Sequence, residues 1–374
     1  GGGNAAFPDT SDADAVAGDI ASGKTAYVNG SKITGTNSGG GGIVTRKDVN
    51  FYDYDGTLLW AYTLAEAQAL TALPAQPAHS GLTGQGWNYT LAEVNALTRK
   101  ADIGAHYITA DGKTHLKITL YDTVRNAVPL HWSQTVSNGV TIDWGDGSAT
   151  QTFAGTGNLN TTHTYAAAGT YDITLNVTSG TAGFGDGYST GIMGASTNAA
   201  RVYINMAESL RIGSGITNLS GYALRNSGLV TITIPTSVTS MGGSTFYYCT
   251  RLKYVTISRN VTSIWDYMFA TCSSLEGVSI PNGVTSIGNY SFQNCYALQN
   301  IELPSGLTSI GSNTFYSCSA LESVEILNNV TTIAASAFNY CSGMREMVIP
   351  DNVTSIAANV FAYCSGLTKI VFPS

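Results

Sequence analysis

The sequence predicts a mainly β, multidomain chain: a small α+β N-terminal module, a β-sandwich, and a C-terminal solenoid of 23-residue repeats. Three observations predict it. Five columns of like residues recur every 23 positions between residues 229 and 374. Several runs between residues 113 and 178 alternate apolar and polar side chains with the period of a half-buried strand. Two copies of one short helical phrase precede them.

Composition sets outer bounds. At about 150 residues per domain, 374 residues argue for two to four domains. Charged residues make up only 11%, hydrophobic residues 43%, and no apolar run of about 18 residues exists to insert in a membrane. A net charge of −7 with 17 Lys and Arg offers no basic stripe, so nucleic acid is not an expected partner. Residues 206–374 carry a net charge of only −1, which places the acidic surplus in the N-terminal half. Residues 1–17 have neither a basic stretch nor an apolar core, and the first residue is not Met, so a processed start and export stay open.

Residues 1–45 read as an attachment segment with a flexible glycine-rich linker at 38–42. Residues 22–36 resemble a short element of bacteriophage tail and other structural proteins. Gly23-Lys24-Thr25 is not a phosphate loop, because the glycine such a loop needs four residues earlier is absent.

Residues 46–112 form the expected α+β module. Asp53-Tyr54-Asp55-Gly56-Thr57 resembles the nucleophile motif of haloacid-dehalogenase-type phosphatases, and the resemblance implies Asp53 as nucleophile and Asp55 as proton handler. The later lysine and acidic metal pair of such enzymes have no room in the 60 or so residues before the sandwich, so a strand followed by an Asp-Gly turn is expected. Tyr62-Thr63-Leu-Ala-Glu66 and Tyr89-Thr90-Leu-Ala-Glu93 each predict a helix opened by a capping box, flanking an irregular segment with Pro74, Pro77, Gly81, Gly84 and Gly86. These phrases also resemble modules in structural proteins of phages of gut bacteria.

Residues 113–180 form the expected sandwich. Asp143-Trp144-Gly145-Asp146-Gly147 and His163-Thr164-Tyr165 with Gly169-Thr170-Tyr171 resemble the turn and corner of a PKD (polycystic kidney disease type) immunoglobulin-like domain. That resemblance implies a spacer or carbohydrate-contact module. His163, Asp143 and Asp146 are read as turn and corner hydrogen-bonding groups. Residues 181–205 read as a glycine-rich linker.

In the repeat, Leu229, Leu252, Leu275, Leu298, Leu321, Met344 and Leu367 form one column. Phe246, Phe269, Phe292, Phe315, Phe338 and Phe361 form a second, and Cys249, Cys272, Cys295, Cys318, Cys341 and Cys364 a third. Each unit has one face to bury and must stack on its neighbours. The phrase V-T-S-I-x-x-x-x-F-x-x-C-x-x-L resembles the bacterial surface-antigen (BspA-like) leucine-rich repeat. Residues 206–228 read as a degenerate cap with Asn226 in the Cys column. One cysteine per repeat gives neither metal-ligand spacing nor good disulfide geometry, so buried free thiols are expected. Leu367 to Ser374 stop just after a seventh strand begins, and the expectation is either that the sequence is cut short there or that the edge packs on another subunit or an upstream domain.

No catalytic residue, metal or cofactor is expected: the five histidines lack ligand spacing, and neither a nucleophile elbow nor a phosphate loop occurs. Candidate binding residues are an aromatic strip at the Phe/Cys corner: Tyr247, Tyr248, Trp265, Tyr267, Tyr290, Tyr316, Tyr340 and Tyr363. Thr233, Thr256, Ser279, Glu302, Glu325, Val348 and Val371 form a second candidate face on the strands. The leading functional expectation is a non-enzymatic bacteriophage virion protein of tail, fibre or decoration. It would be anchored by its N-terminal region to other virion proteins or copies of itself and would contact a host-surface glycan or protein. The alternative is a bacterial cell-surface or secreted BspA-like adhesin.

Overall fold

The computed structural model describes residues 25–28, 31–34, 44–185, 191–193 and 206–372. The rest of the attachment segment and most of the 181–205 stretch lie outside the described residues. The chain divides into two compact units, 1–46 and 47–374. In the first, β1 (Thr25–Val28) and β2 (Ser31–Thr34) pair antiparallel, with Thr25 opposite Thr34 and Val28 opposite Ser31.

The second unit begins with a four-stranded mixed sheet. Its strands are β3 (Val49–Tyr52), β4 (Leu58–Tyr62), β5 (Leu82–Trp87) and β6 (Ala101–Thr109), in the order β4-β3-β6-β5. Both capping boxes form. Thr63 and Thr90 accept the backbone N–H of Glu66 and Glu93, whose carboxylates accept the cap N–H, opening α1 (Leu64–Gln68) and α2 (Leu91–Asn95). Phe51 packs edge-on against Trp87 at 5.0 Å over a core that includes Val49, Val94, Ile103 and Tyr107. Trp87 Nε1 donates to the Pro74 carbonyl at 2.8 Å, which ties the irregular proline segment to that core.

Two five-stranded sheets follow. One orders β10 (Gln151–Thr152), β9 (Val140–Asp143), β12 (Gly169–Val177), β7 (Thr114–Leu120) and β14 (Ala207–Arg211). The other orders β11 (Gly157–Thr164), β8 (Ala127–Gln134), β13 (Ala182–Phe184), β15 (Ile216–Leu219) and Ser240–Met241. Leu116, Ile118, Ile142 and Ile173 of the first share a core with Val128, Leu130, Trp132 and Phe184 of the second. The stretch read as linker therefore supplies a strand, β13, that pairs with β8 on one side and parallel with β15 on the other.

The solenoid grows out of this sandwich. β14 and β15, from the degenerate first repeat, complete the two sheets, and β15 starts the parallel ladder that continues at Ser240–Met241. Each turn then advances 23 residues: Tyr254 pairs with Gly277, Ser263 with Ser286, Thr332 with Ser355. The same core runs without interruption from Leu116 to Cys364. Phe246, Phe269, Phe292, Phe315 and Phe338 are fully buried and stack in parallel at 5.2–5.4 Å, with Phe361 closing the row 5.9 Å from Phe338.

All six cysteines are free and buried. Their column does more than fill space. Five of the six thiols donate to the carbonyl of the Phe one repeat earlier, as Cys295 does to Phe269 at 3.2 Å and Cys364 to Phe338 at 3.0 Å, and Cys249 donates to Leu224, which stands in the Phe column of the first repeat. Each of these Phe carbonyls also accepts its own repeat's Cys N–H, so both lone pairs are used. In the first repeat Ser227, not the expected Asn226, holds the equivalent place. Its hydroxyl lies 3.2 Å from Cys249 Sγ, because that repeat is one residue shorter. Burial pushes the Cys318 thiol up to about 12. The six thiols are expected to resist iodoacetamide in native buffer and to react together on unfolding, as mass spectrometry reads directly. Rapid native alkylation of Cys295 or Cys318 would contradict the buried ladder.

Candidate functional site

The solenoid has two faces that could meet a partner, and the structure treats them differently. The strand face of the first three full repeats is closed. β6 crosses Thr231–Thr233, Tyr254–Thr256 and Gly277–Ser279, with Gly104 directly over Thr256 and Ser279, where a Cβ would collide with the Thr256 side chain. Ser279 Oγ donates to the Asp102 carbonyl at 2.6 Å, and Thr233 Oγ1 to the Ala105 carbonyl at 3.0 Å. Asn88 Nδ2 reaches Ser279 Oγ at 2.8 Å while its Oδ1 accepts the Gly104 N–H. Tyr52 packs on Tyr254 at 5.4 Å.

This corrects the expectation of a strand-face binding column. Thr256 and Ser279 are wholly buried, and only the later members are open, Glu325, Val348 and Val371 among them. At Thr256 and Ser279 a small side chain leaves room for the β6 backbone that lies against them.

The Asp53 turn belongs to the same packing. Asp53 accepts the Gly56 N–H through its carbonyl, Gly56 has φ +87°, and its Cα faces Tyr254. The Asp53 carboxylate is 2.8 Å from His79 Nε2, and burial raises its pKa. Asp55 accepts the Thr57 N–H at 2.9 Å. The two carboxylates thus serve the turn.

In the sandwich, His163 stacks on Trp144 at 4.8 Å, reaches Asp146 Oδ2 at 2.7 Å, and sits beside Tyr165, whose hydroxyl donates to the Trp144 carbonyl at 2.9 Å. The turn and corner phrases therefore meet in one hydrogen-bonded cluster.

The Phe/Cys corner is open. Every repeat places two residues in the left-handed region there, two before and two after the Phe, at φ between 55° and 63°. Asn, Ser or Thr fill many of these positions, but Tyr222, Tyr248, Tyr267, Tyr290, Tyr340 and Tyr363 fill the others. A tyrosine in this conformation costs about 1–2 kcal/mol. Burial does not offset that cost at Tyr248, Tyr267, Tyr340 and Tyr363, which are exposed, the last at 68%.

The tyrosines form two runs. Tyr247 meets Tyr248 edge-on at 4.6 Å and Tyr267 at 6.2 Å, and Tyr267 stacks on Tyr290 at 4.7 Å with planes 2° apart. Arg225 lies over Tyr222 and Tyr247, closing that end. Tyr316 meets Tyr340 at 5.5 Å, and Tyr340 stacks on Tyr363 at 4.5 Å. Stacked rings cover each other's faces and present edges and hydroxyls outward.

Trp265 stands apart. Its column otherwise holds Gly242, Gly288, Gly311, Ala334 and Ala357, because the preceding turn's backbone crowds it. Trp265 nevertheless occupies it with 55% of its surface exposed. Sequence reading found Trp265 through its aromaticity; its break in a small-residue column was the sharper signal.

Among the described residues no group of His, Cys, Asp or Glu is arranged to hold a metal ion. No described helix is long and apolar enough to cross a membrane.

Comparison with known proteins places the repeat. Residues 202–295 and 262–374 match the model of the BspA type leucine rich repeat region, in six copies. Among solved structures, the chain resembles a leucine rich cell surface protein from Faecalibacterium prausnitzii at 32% identity, covering 44% of each chain, with a TM-score of 0.39. It resembles a leucine rich repeat protein of T. pallidum at 29% identity over 41% of this chain and 72% of that one, TM-score 0.40. The pneumococcal vaccine antigen PcpA shares 21% identity over 43% of this chain and 55% of that one, TM-score 0.27. The chain thus spans less than half the length of the Faecalibacterium protein. No curated protein matches the chain.

Proposed function

We propose that the chain is a non-enzymatic, adhesin-type bacterial surface protein, presented at the cell surface or secreted, whose solenoid corner grips a protein partner. The observation that carries this reading is the exposed aromatic corner on a repeat of the BspA type. Trp265 and the tyrosines are held in costly or crowded positions that the fold's own packing does not require. Trp and Tyr are the side chains that dominate protein hot spots, and ring edges with hydroxyls suit a polypeptide better than they suit the face of a sugar ring. We take the upstream sandwich to be a PKD-like, immunoglobulin-like spacer; the joined turn and corner around Trp144 and His163 support that. The virion role implied by the N-terminal phrases gains nothing from the family match, which favours the surface-adhesin alternative.

The test is binding of the full chain to an array of immobilised host-surface and matrix proteins, with Trp265→Ala alongside. The expected result is binding by the native chain that falls about tenfold or more in the variant, at unchanged melting temperature. Binding that Trp265→Ala and Tyr363→Ala both leave intact would overturn the corner as the recognition site.

A further inference from the structure

A cleft of about 630 Å³ opens where the α+β module meets the sandwich, away from the aromatic corner. That volume falls within the range of about 300–1,000 Å³ common to small-molecule sites. Gly81, Thr109, Ala110 and Asp111 form one wall; the outer surface of β12, β7 and β14 forms the floor, with Asp172, His115 and Arg211 as its charged centre.

The polar groups there are held in place. His115 sits between two carboxylates, its Nδ1 2.8 Å from Asp172 Oδ2 and its Nε2 3.1 Å from Asp111 Oδ2. Burial alone would push this imidazole down, but the two carboxylates outweigh it and raise its pKa. Lys117 is paired with Glu208 at 3.5 Å. Arg211 lies opposite His115 in the β14–β7 register, and its guanidinium has no hydrogen-bond or ion-pair partner among the described residues. The second oxygen of Asp172 likewise has none. An open guanidinium and an open carboxylate oxygen therefore share one cleft.

The charges cancel once His115 is protonated: two carboxylates face an imidazolium and a guanidinium, and the Lys117–Glu208 pair is neutral. An anion entering the cleft would gain Arg211 but meet Asp111 and Asp172. A neutral polyol meets no such penalty. Each hydroxyl both donates and accepts, so adjacent hydroxyls can accept from Arg211 and donate to Asp172 together. We propose that this cleft is a binding subsite for a neutral saccharide residue, with Arg211 and Asp172 gripping vicinal hydroxyls and His115 fixing Asp172. It is separate from the protein-binding corner.

The experiment is a titration of the full chain with methyl glycosides of glucose, galactose and mannose, and with methyl glucuronide as the acidic counterpart, read by NMR. The expected result is weak, saturable binding of at least one neutral glycoside, weaker binding of the glucuronide, and loss of about tenfold in affinity in Arg211→Gln and in Asp172→Asn. Both side chains are exposed, so both variants should stay folded, with Arg211→Gln leaving the melting curve in place and Asp172→Asn lowering it slightly through the lost His115 contact, and Trp265→Ala should leave the titration unchanged. No neutral glycoside binding, tighter glucuronide binding, or indifference to both substitutions would each overturn the proposal. None of these outcomes bears on the aromatic corner.

Discussion

Phe292→Ala is expected to lower stability by about 3–5 kcal/mol, the usual cost of deleting a fully buried phenyl ring. The ring is wholly buried and stacked between Phe269 and Phe315 at 5.2 and 5.4 Å, so the hole has apolar rings on both sides. It cannot collapse readily. The backbone around it is pinned by the Phe292 N–H to Thr314 and by the Cys318 thiol to the Phe292 carbonyl. Because each repeat contacts mainly its neighbours, a weak joint in the middle should also split the array's cooperativity. Guanidinium denaturation should show a lower midpoint and a broader transition. Phe361→Ala, at the partly exposed end of the row, should cost clearly less. A loss below about 1 kcal/mol at Phe292 would mean that the stack is not the spine of the solenoid.

Acid should loosen the contact between the α+β module and the solenoid, through His106. This imidazole is wholly buried under the module, where its Nε2 accepts the Arg259 N–H at 3.3 Å. Burial first, and the Arg259 charge second, hold its pKa down to about 3 against an ordinary 6.5. The folded state therefore refuses a proton that the unfolded chain takes up below pH 6.5. The stabilising contribution is complete above that pH and is lost as pH falls toward 3, by about 3 kcal/mol at pH 4. His115 does not obscure the effect. Its raised pKa means it is protonated in both states below pH 6, and its own contribution fades only as pH rises. Several carboxylates also titrate near pH 4, so the comparison that isolates His106 is with His106→Gln, which cannot titrate. The variant's melting temperature should fall less steeply between pH 6 and 4; parallel curves would remove His106 from the account.

Much of the solenoid was legible because a 23-residue period is a statement about stacking: like residues at that spacing must sit one above another. The Phe row, the buried thiols and both capping boxes follow from local pattern. What the sequence hid was long-range. That β6 lies on Thr233 and Ser279 depends on segments 128 to 177 residues apart, and no period reports it. One trace was present: the strand-face column changes from Thr233, Thr256 and Ser279 to Glu302 and Glu325, marking where the cover ends. Gly104 carried the same message from the other side, since only a residue without a Cβ lets the strands approach. β13 was hidden for a different reason. Ala182-Gly183-Phe184 is too short and glycine-rich to read as a strand, and it is held only by partners on both edges. At the candidate site, Trp265 and the tyrosines were readable by type; the left-handed backbone that makes their presence costly was not.

Amide hydrogen exchange at neutral pH tests the central claim most directly, because that claim is that the module closes the strand face of the first three full repeats while their corner stays open. The amides of Ile234, Ile257 and the β6 strand should exchange together at one slow rate, as parts of a single cooperative unit. A β6 strand that exchanges quickly while the solenoid stays protected would contradict it, and would return the strand face to the surfaces open for binding.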